Sequence, residues 1–168
     1  MTIKSENKAA YNVCPATKEG DEEAIISLAL QILEKRMRMK PFAGHEMTSP
    51  QSVRDYLHLA LRELEHEEFH VLFLDSQHRL IQRESMFRGT LDMASVYPRE
   101  VVKAALRHNA GAVILAHNHP SGLLEPSEAD KAITRKLKEA LGLIGVNVLD
   151  HFIVGEGQPY SFAENHLC

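Results

Sequence analysis

Two histidines, His117 and His119, and an aspartate, Asp130, share one short stretch, His117-Asn118-His119-Pro120-Ser121-Gly122-Leu123-Leu124-Glu125-Pro126-Ser127-Glu128-Ala129-Asp130. Two imidazoles and one carboxylate make a three-ligand set that suits Zn²⁺ and leaves a fourth position open for water. That is the layout of a catalytic site, since a closed structural site would add a fourth protein ligand, usually cysteine. Gly111-Ala112-Val113-Ile114-Leu115-Ala116 is short and aliphatic and reads as a buried strand. Side chains two apart on an extended chain point to one face, so His117 and His119 leave the end of that strand aimed at one spot. Pro120, Ser121 and Gly122 then turn the chain. Ser127 opens a helix with Asp130 in its first turn, and the intervening loop folds the carboxylate back toward the imidazoles.

A plainer reading competes. His-X-His is a weak signal in a chain with ten histidines, and Ser127-X-X-Asp130 is also a helix-capping arrangement. Capping, however, leaves two histidines at the mouth of a buried strand unexplained. A cap that orients Asp130 also prepares it as a ligand, so the two readings are compatible.

The elements that must position this set follow from periodicity. Residues 1 to 20 are polar and unpatterned. Ile25, Ile26, Leu30 and Leu33 recur at helical spacing over residues 21 to 40, and Lys35, Arg36, Arg38 and Lys40 crowd the end, where cations suit the dipole. Pro41 stops this helix, whose apolar face is free to pack on the domain or on a second copy. Another helix follows Ser49-Pro50, with Val53, Leu57, Ala60, Leu61 and Leu64 as its core face. Strands are expected near 69–75 and 80–87, joined by Asp75-Ser76-Gln77-His78, and a third near 90–96. A helix runs from Pro98 to before Gly111. The histidine-bearing strand, a helix over 128–141 and a last strand over 147–154 complete the order. Helices alternating with strands imply a three-layer α/β domain, a mixed central sheet flanked by helices.

The segment resembles the JAMM (MPN/JAB) metalloprotease motif: His117-X-His119, seven residues, Ser127, two residues, Asp130. The wider string His-Asn-His-Pro-Ser-Gly, with Pro126-Ser127 and Asp130, is similar to the RadC branch of that family. So are Phe87-Arg88-Gly89-Thr90-Leu91, Tyr97-Pro98-Arg99-Glu100-Val101-Val102, Leu149-Asp150-His151-Phe152-Ile153-Val154-Gly155 and Ser161-Phe162-Ala163-Glu164. The resemblance covers residues 46 to 168, leaving 1 to 45 as an N-terminal extension with one helix. It implies an MPN/JAB (cytidine-deaminase-like) fold, one Zn²⁺ per chain on His117, His119 and Asp130, and hydrolysis of an amide bond in a protein or peptide. It also implies an upstream glutamate that handles the proton of the attacking water, here Glu67, with Glu68 as the alternative, and a serine, Ser127, that donates to the oxyanion. RadC proteins usually carry a helix-hairpin-helix-like segment associated with DNA binding; no such segment is recognised here. His151 reads first as a partly buried histidine bonded to Asp150 or to backbone, and second as a residue reaching the site. Asn118 and Ser121 could orient the ligands.

Composition bounds the rest. Charged residues at 25% and hydrophobic ones at 44% are ordinary for a globular protein, and the net charge of −4 carries no footprint for nucleic acid. Lys131, Arg135, Lys136 and Lys138 share one helix, which reads as a solvated face. Cys14 and Cys168 do not make a disulfide framework. No apolar run is long enough to span a bilayer and no signal-peptide core opens the chain, so a cytoplasmic location is the expectation. Oligomerisation is left open. Three rival readings are a DNA-repair accessory with a structural metal site, a non-catalytic interaction module and a zinc deaminase. The last requires a Cys-X-X-Cys pair that this chain lacks. The accessory reading predicts salt-sensitive DNA binding near physiological ionic strength. We expect none, by fluorescence anisotropy with labelled DNA across a salt series; a complex whose affinity falls steeply with salt would revive that reading.

Overall fold

The computed structural model describes residues 19–39, 50–89 and 96–168. In chain order these form α1 (Glu19–Arg38), α2 (Pro50–Leu61), β1 (Glu68–Leu74), β2 (Leu80–Arg88), α3 (Pro98–Arg107), β3 (Ala112–Asn118), α4 (Glu128–Gly142), β4 (Asn147–Val154) and β5 (Tyr160–Ser161). The strands make one sheet in the order β2-β1-β3-β4-β5. β1 runs antiparallel to β2 and to β3, β3 parallel to β4, and β4 antiparallel to β5. The sheet is mixed because α4 supplies the crossover that a parallel β3–β4 pair requires.

Alternation along the central strands divides the core into two layers. Leu72, Leu74, Ile114, Ala116, Phe152 and Val154 meet Val53, Leu57 and Leu61 of α2 and Met37 of α1. On the other face Val71, Phe73, Val113 and Leu115 meet Val101 and Ala105 of α3 and Leu137 and Leu141 of α4. β3 is buried along its whole length, as the aliphatic run implies for a strand covered on both faces. This is the expected three-layer α/β arrangement. α1 packs within the molecule: Leu30 and Leu33 join the first core layer, and the Tyr56 hydroxyl donates to Glu34 at 2.5 Å.

Local chemistry sets the element ends. Pro98 occupies the first turn of α3, where its missing N–H is harmless. Asn109, past the end of α3, takes the left-handed conformation at φ 51°. Ser127 caps α4 in a reciprocal box with Asp130.

Some expectations shift. β3 continues through Asn118, so His117 lies inside the strand instead of leaving its end. The two-residue β5 was not anticipated; it is too short to show a period. The expected strand over 90–96 and the domain boundary near residue 45 fall mostly or wholly outside the described residues. Among the described residues no helix is long and apolar enough to cross a membrane.

The turn after β3 is pinned against the end of β4. His119 N–H donates to the Val154 carbonyl at 2.8 Å, Gly122 N–H to the His119 carbonyl at 2.9 Å, and Glu156 N–H to the Gly122 carbonyl at 2.9 Å. A Cβ on Gly155 would stand 2.5 Å from the Gly122 carbonyl oxygen, so only glycine permits this crossing. Gly155→Ala should destabilise the protein by about 1–3 kcal/mol, since the obstacle is backbone and cannot rotate away. Gly142→Ala, where a Cβ meets nothing within 4 Å, should be neutral or stabilising. Urea denaturation of the pair checks both; equal effects would show that the crossing is not tight.

Candidate metal centre

β3 carries His117, and His119 follows directly after its last residue. His117 is fully buried, beside its β1 partner Phe69, with ring centroids 6.3 Å apart and planes 11° from parallel. His119 stays extended through its bond to Val154, and the two Nε2 atoms lie 2.9 Å apart. The middle residue faces the other way. Asn118 donates to the carbonyls of Leu64 and His66, at 3.2 and 3.0 Å, and accepts from Glu68 N–H at 2.9 Å. It thereby ties segment 64–68 to the strand carrying the histidines.

The third side chain arrives on α4. Asp130 is fully buried, and its Oδ2 accepts from Ser127 N–H at 2.7 Å and from the Ser127 hydroxyl at 2.6 Å. The same hydroxyl oxygen accepts from Asp130 N–H at 3.1 Å. Oδ1, buried and 3.3 Å from His117 Nε2, has no hydrogen-bond donor among the described residues. Asp130 Oδ2 lies 3.8 Å from His119 Nε2. A hydroxyl has one proton, and that of Ser127 is engaged by Asp130. Serving an oxyanion therefore requires the hydroxyl to turn away from Oδ2.

The two candidate glutamates separate cleanly. A Glu67 carboxylate oxygen and the two imidazole nitrogens all lie within 4.8 Å of one another. Glu67 also borders a narrow cleft with Phe69, Phe87, Val96 and His117. Glu68, on the opposite side of β1 from Phe69, accepts from the Ser85 hydroxyl at 2.8 Å and meets His70 Nε2 at 3.1 Å. Burial works to raise its carboxyl, but Ser85 and His70 outweigh that and hold it below the ordinary range. A cavity of about 540 Å³ between α2 and Gly157–Pro159 is lined by none of the four clustered side chains.

Polarity around the cluster suits a cation. His119 Nδ1 lies 2.8 Å from the Leu123 carbonyl, which can only accept. The ring therefore donates there and, when neutral, turns an Nε2 lone pair inward. Asp130 Oδ1 is a second inward acceptor. Tetrahedral Zn²⁺ with bonds of about 2.0–2.1 Å keeps its ligand atoms roughly 3.3–3.4 Å apart. The 3.3 Å between His117 Nε2 and Asp130 Oδ1 matches that value, and the 2.9 Å between the two Nε2 atoms is a little shorter. The residues present fit a divalent metal.

A match to the RadC-like JAB domain covers residues 47–167. The chain belongs to that family. Its relatives include a UPF0758 protein of Leptothrix cholodnii, 55% identical over 95% of this chain and 70% of its own length. UPF0758 proteins of Vibrio cholerae and Azotobacter vinelandii are 54% and 55% identical over 84% of the chain. The chain spans about 62% of the length of these last two.

In this RadC-like domain the reading of His151 needs correction. Its ring is not bonded to Asp150; that carboxylate accepts from His151 N–H, from the Ser161 hydroxyl and from Ala163 N–H, at 2.7, 2.6 and 2.9 Å. The ring is fully buried and meets His117 Nδ1 at 2.8 Å and Thr134 Oγ1 at 2.7 Å. Thr134 carried no signal in the sequence, being one polar residue on an amphipathic helix. Ser121 is exposed at the turn, its hydroxyl 3.5 Å from Leu123 N.

Burial lowers the pKa of His117 to about 4, of His70 to about 4, and of His151 well below 6.5. An unfolded chain takes protons on these rings below about pH 6.5 while the folded one does not. Stability should thus be complete above that pH and fall toward pH 4, with each ring contributing up to about 1.4 kcal/mol per pH unit. Urea titrations of chelator-treated protein at pH 7.5, 6 and 5 check this; stability unchanged over that window would mean that the rings are not held neutral.

Proposed function

We propose that this domain is a zinc-dependent hydrolase of amide bonds, acting on a peptide or protein substrate. The observation that carries the reading is the buried Asp130 Oδ1, which lies 3.3 Å from His117 Nε2, beside the close His117–His119 pair, and has no hydrogen-bond donor among the described residues. A buried carboxylate oxygen without a donor is costly, and a cation is the partner that removes the cost. His117, His119 and Asp130 would hold the metal, with the Glu67 carboxylate close by.

A zinc ion held there would polarise the substrate carbonyl and bring the pKa of water down to about 7. Glu67, close to both imidazole nitrogens, takes the proton of the attacking water and returns it to the departing amine. That single group serves as base and then as acid, which typically contributes 10²–10⁴-fold. The Phe69, Phe87 and Val96 side chains narrow the cleft beside it, which Arg88 also lines. Ser127 orients Asp130 through Oδ2 and, on turning its hydroxyl, can donate to the carbonyl oxygen as negative charge develops. Asn118 keeps Glu67 in register with the ligands by holding the backbone on either side of it.

The metal is tested first. Elemental analysis of untagged protein should give one zinc per chain, and His117→Ala prepared alongside should give almost none. Equal zinc in both would sink the assignment. Glu67→Gln should then retain the metal while losing at least about 100-fold in cleavage. Cleavage is read as new termini by mass spectrometry on a diverse peptide library. Full cleavage by Glu67→Gln would end the proposed mechanism.

A further inference from the structure

We propose that His151 and Thr134 are positioning residues that lock His117 in the one tautomer able to bind the metal. The inference rests on the metal-site reading above and concerns residues to which that reading gives no part. Four groups form a chain running from the main chain of Asp130 to the ligand nitrogen of His117. The Thr134 oxygen lies 2.5 Å from the Asp130 carbonyl and 2.7 Å from His151 Nδ1. His151 Nε2 lies 2.8 Å from His117 Nδ1.

The direction of every bond follows from the first. A carbonyl only accepts, so the single Thr134 proton points to Asp130, four residues back along α4. The hydroxyl oxygen must then accept from His151, which places a proton on His151 Nδ1. The His151 ring is fully buried, with the Phe69 and Phe162 ring centroids 5.5 and 4.7 Å away, and carries one proton when neutral. Its Nε2 is therefore a lone pair, and His117 Nδ1 must donate to it. His117 Nε2 is left bare and faces His119 and Asp130.

The alternative tautomer shows what the lock prevents. With its proton on Nε2, His117 would donate across 2.9 Å to His119 Nε2. The two imidazoles would satisfy each other and close the site against a cation. Reversing the chain would require the Thr134 oxygen and the Asp130 carbonyl to meet at 2.5 Å without a proton between them. The first turn of α4 thus supplies one ligand by side chain and fixes another through its main chain. Partners that set the orientation and tautomer of a ligating histidine typically matter 10–100-fold in metal affinity.

Four variants test this, with two readouts. In metal-free protein labelled with ¹⁵N-histidine, two-bond ¹H–¹⁵N correlations should show His117 protonated on Nδ1 alone. Thr134→Val and His151→Leu should give mixed or Nε2-protonated His117. Thr134→Ser and His151→Gln, which preserve acceptor and donor, should keep the wild-type pattern. Zinc affinity, by competition with a chromophoric chelator, should fall 10–100-fold in the first pair and stay within about threefold in the second. Thr134→Val is nearly isosteric and carries the test should His151→Leu not fold. A wild-type tautomer and affinity in Thr134→Val, or equal losses in Thr134→Val and Thr134→Ser, would overturn the inference. Because the tautomer is read without metal, it decides the lock even if wild-type protein binds no zinc, an outcome that would defeat only the metal-site reading.

Discussion

Acceptor atoms forced together without a donor repel one another, and burial removes the water that would otherwise screen them. The buried Asp130 Oδ1 is such an atom beside His117 Nε2, with the half-buried His119 Nε2 on the other side of that ring nitrogen, on the face of the sheet that α4 covers. Holding them there demands rigid supports. His117 sits on the fully buried strand β3 with His119 directly after it, and Asp130 sits in a capped first turn. The loop between is fastened to the end of β4 by a backbone crossing that admits no side chain at Gly155. Each support is an ordinary device of strand, cap or turn; the site arises from where they meet.

Asn118 illustrates how one strand serves two purposes. The two-residue period that sends His117 and His119 to one face sends Asn118 to the other. There it satisfies three backbone groups of the segment that carries Glu67. The placement of the Glu67 segment beside the histidines is therefore fixed by main-chain hydrogen bonds to a single amide. The same pleat separates Glu67 from Glu68, whose carboxylate is committed to Ser85 and His70.

Ser127 carries a conflict of a kind common at reactive sites. Its oxygen caps the helix and its proton holds Asp130, so any donation to substrate competes with ligand orientation. Glu67 likewise borders a narrow cleft, and a cavity of about 540 Å³ lies elsewhere. A site built in this way depends on its backbone more than on its volume.

Much of this was legible in the residues alone. The aliphatic run ending in His-X-His, the turn of Pro120 and Gly122, and the Ser127–Asp130 cap announce two imidazoles and a carboxylate at one place, because strand pleat and helix capping are local rules. The order of helices and strands follows from the same periodicities, apart from the two-residue β5. Tertiary structure decided what local rules cannot reach. It brought a Glu67 carboxylate oxygen beside the two imidazoles while Glu68 met Ser85 and His70, turned the His151 ring from its neighbour Asp150 to His117, and set Thr134 against that ring. Those assignments depend on β3 and β4 lying parallel with Leu115 opposite His151 and on α4 crossing above them. Contacts between residues 17 and 34 positions apart are fixed only when the sheet and its covering helix close on one another.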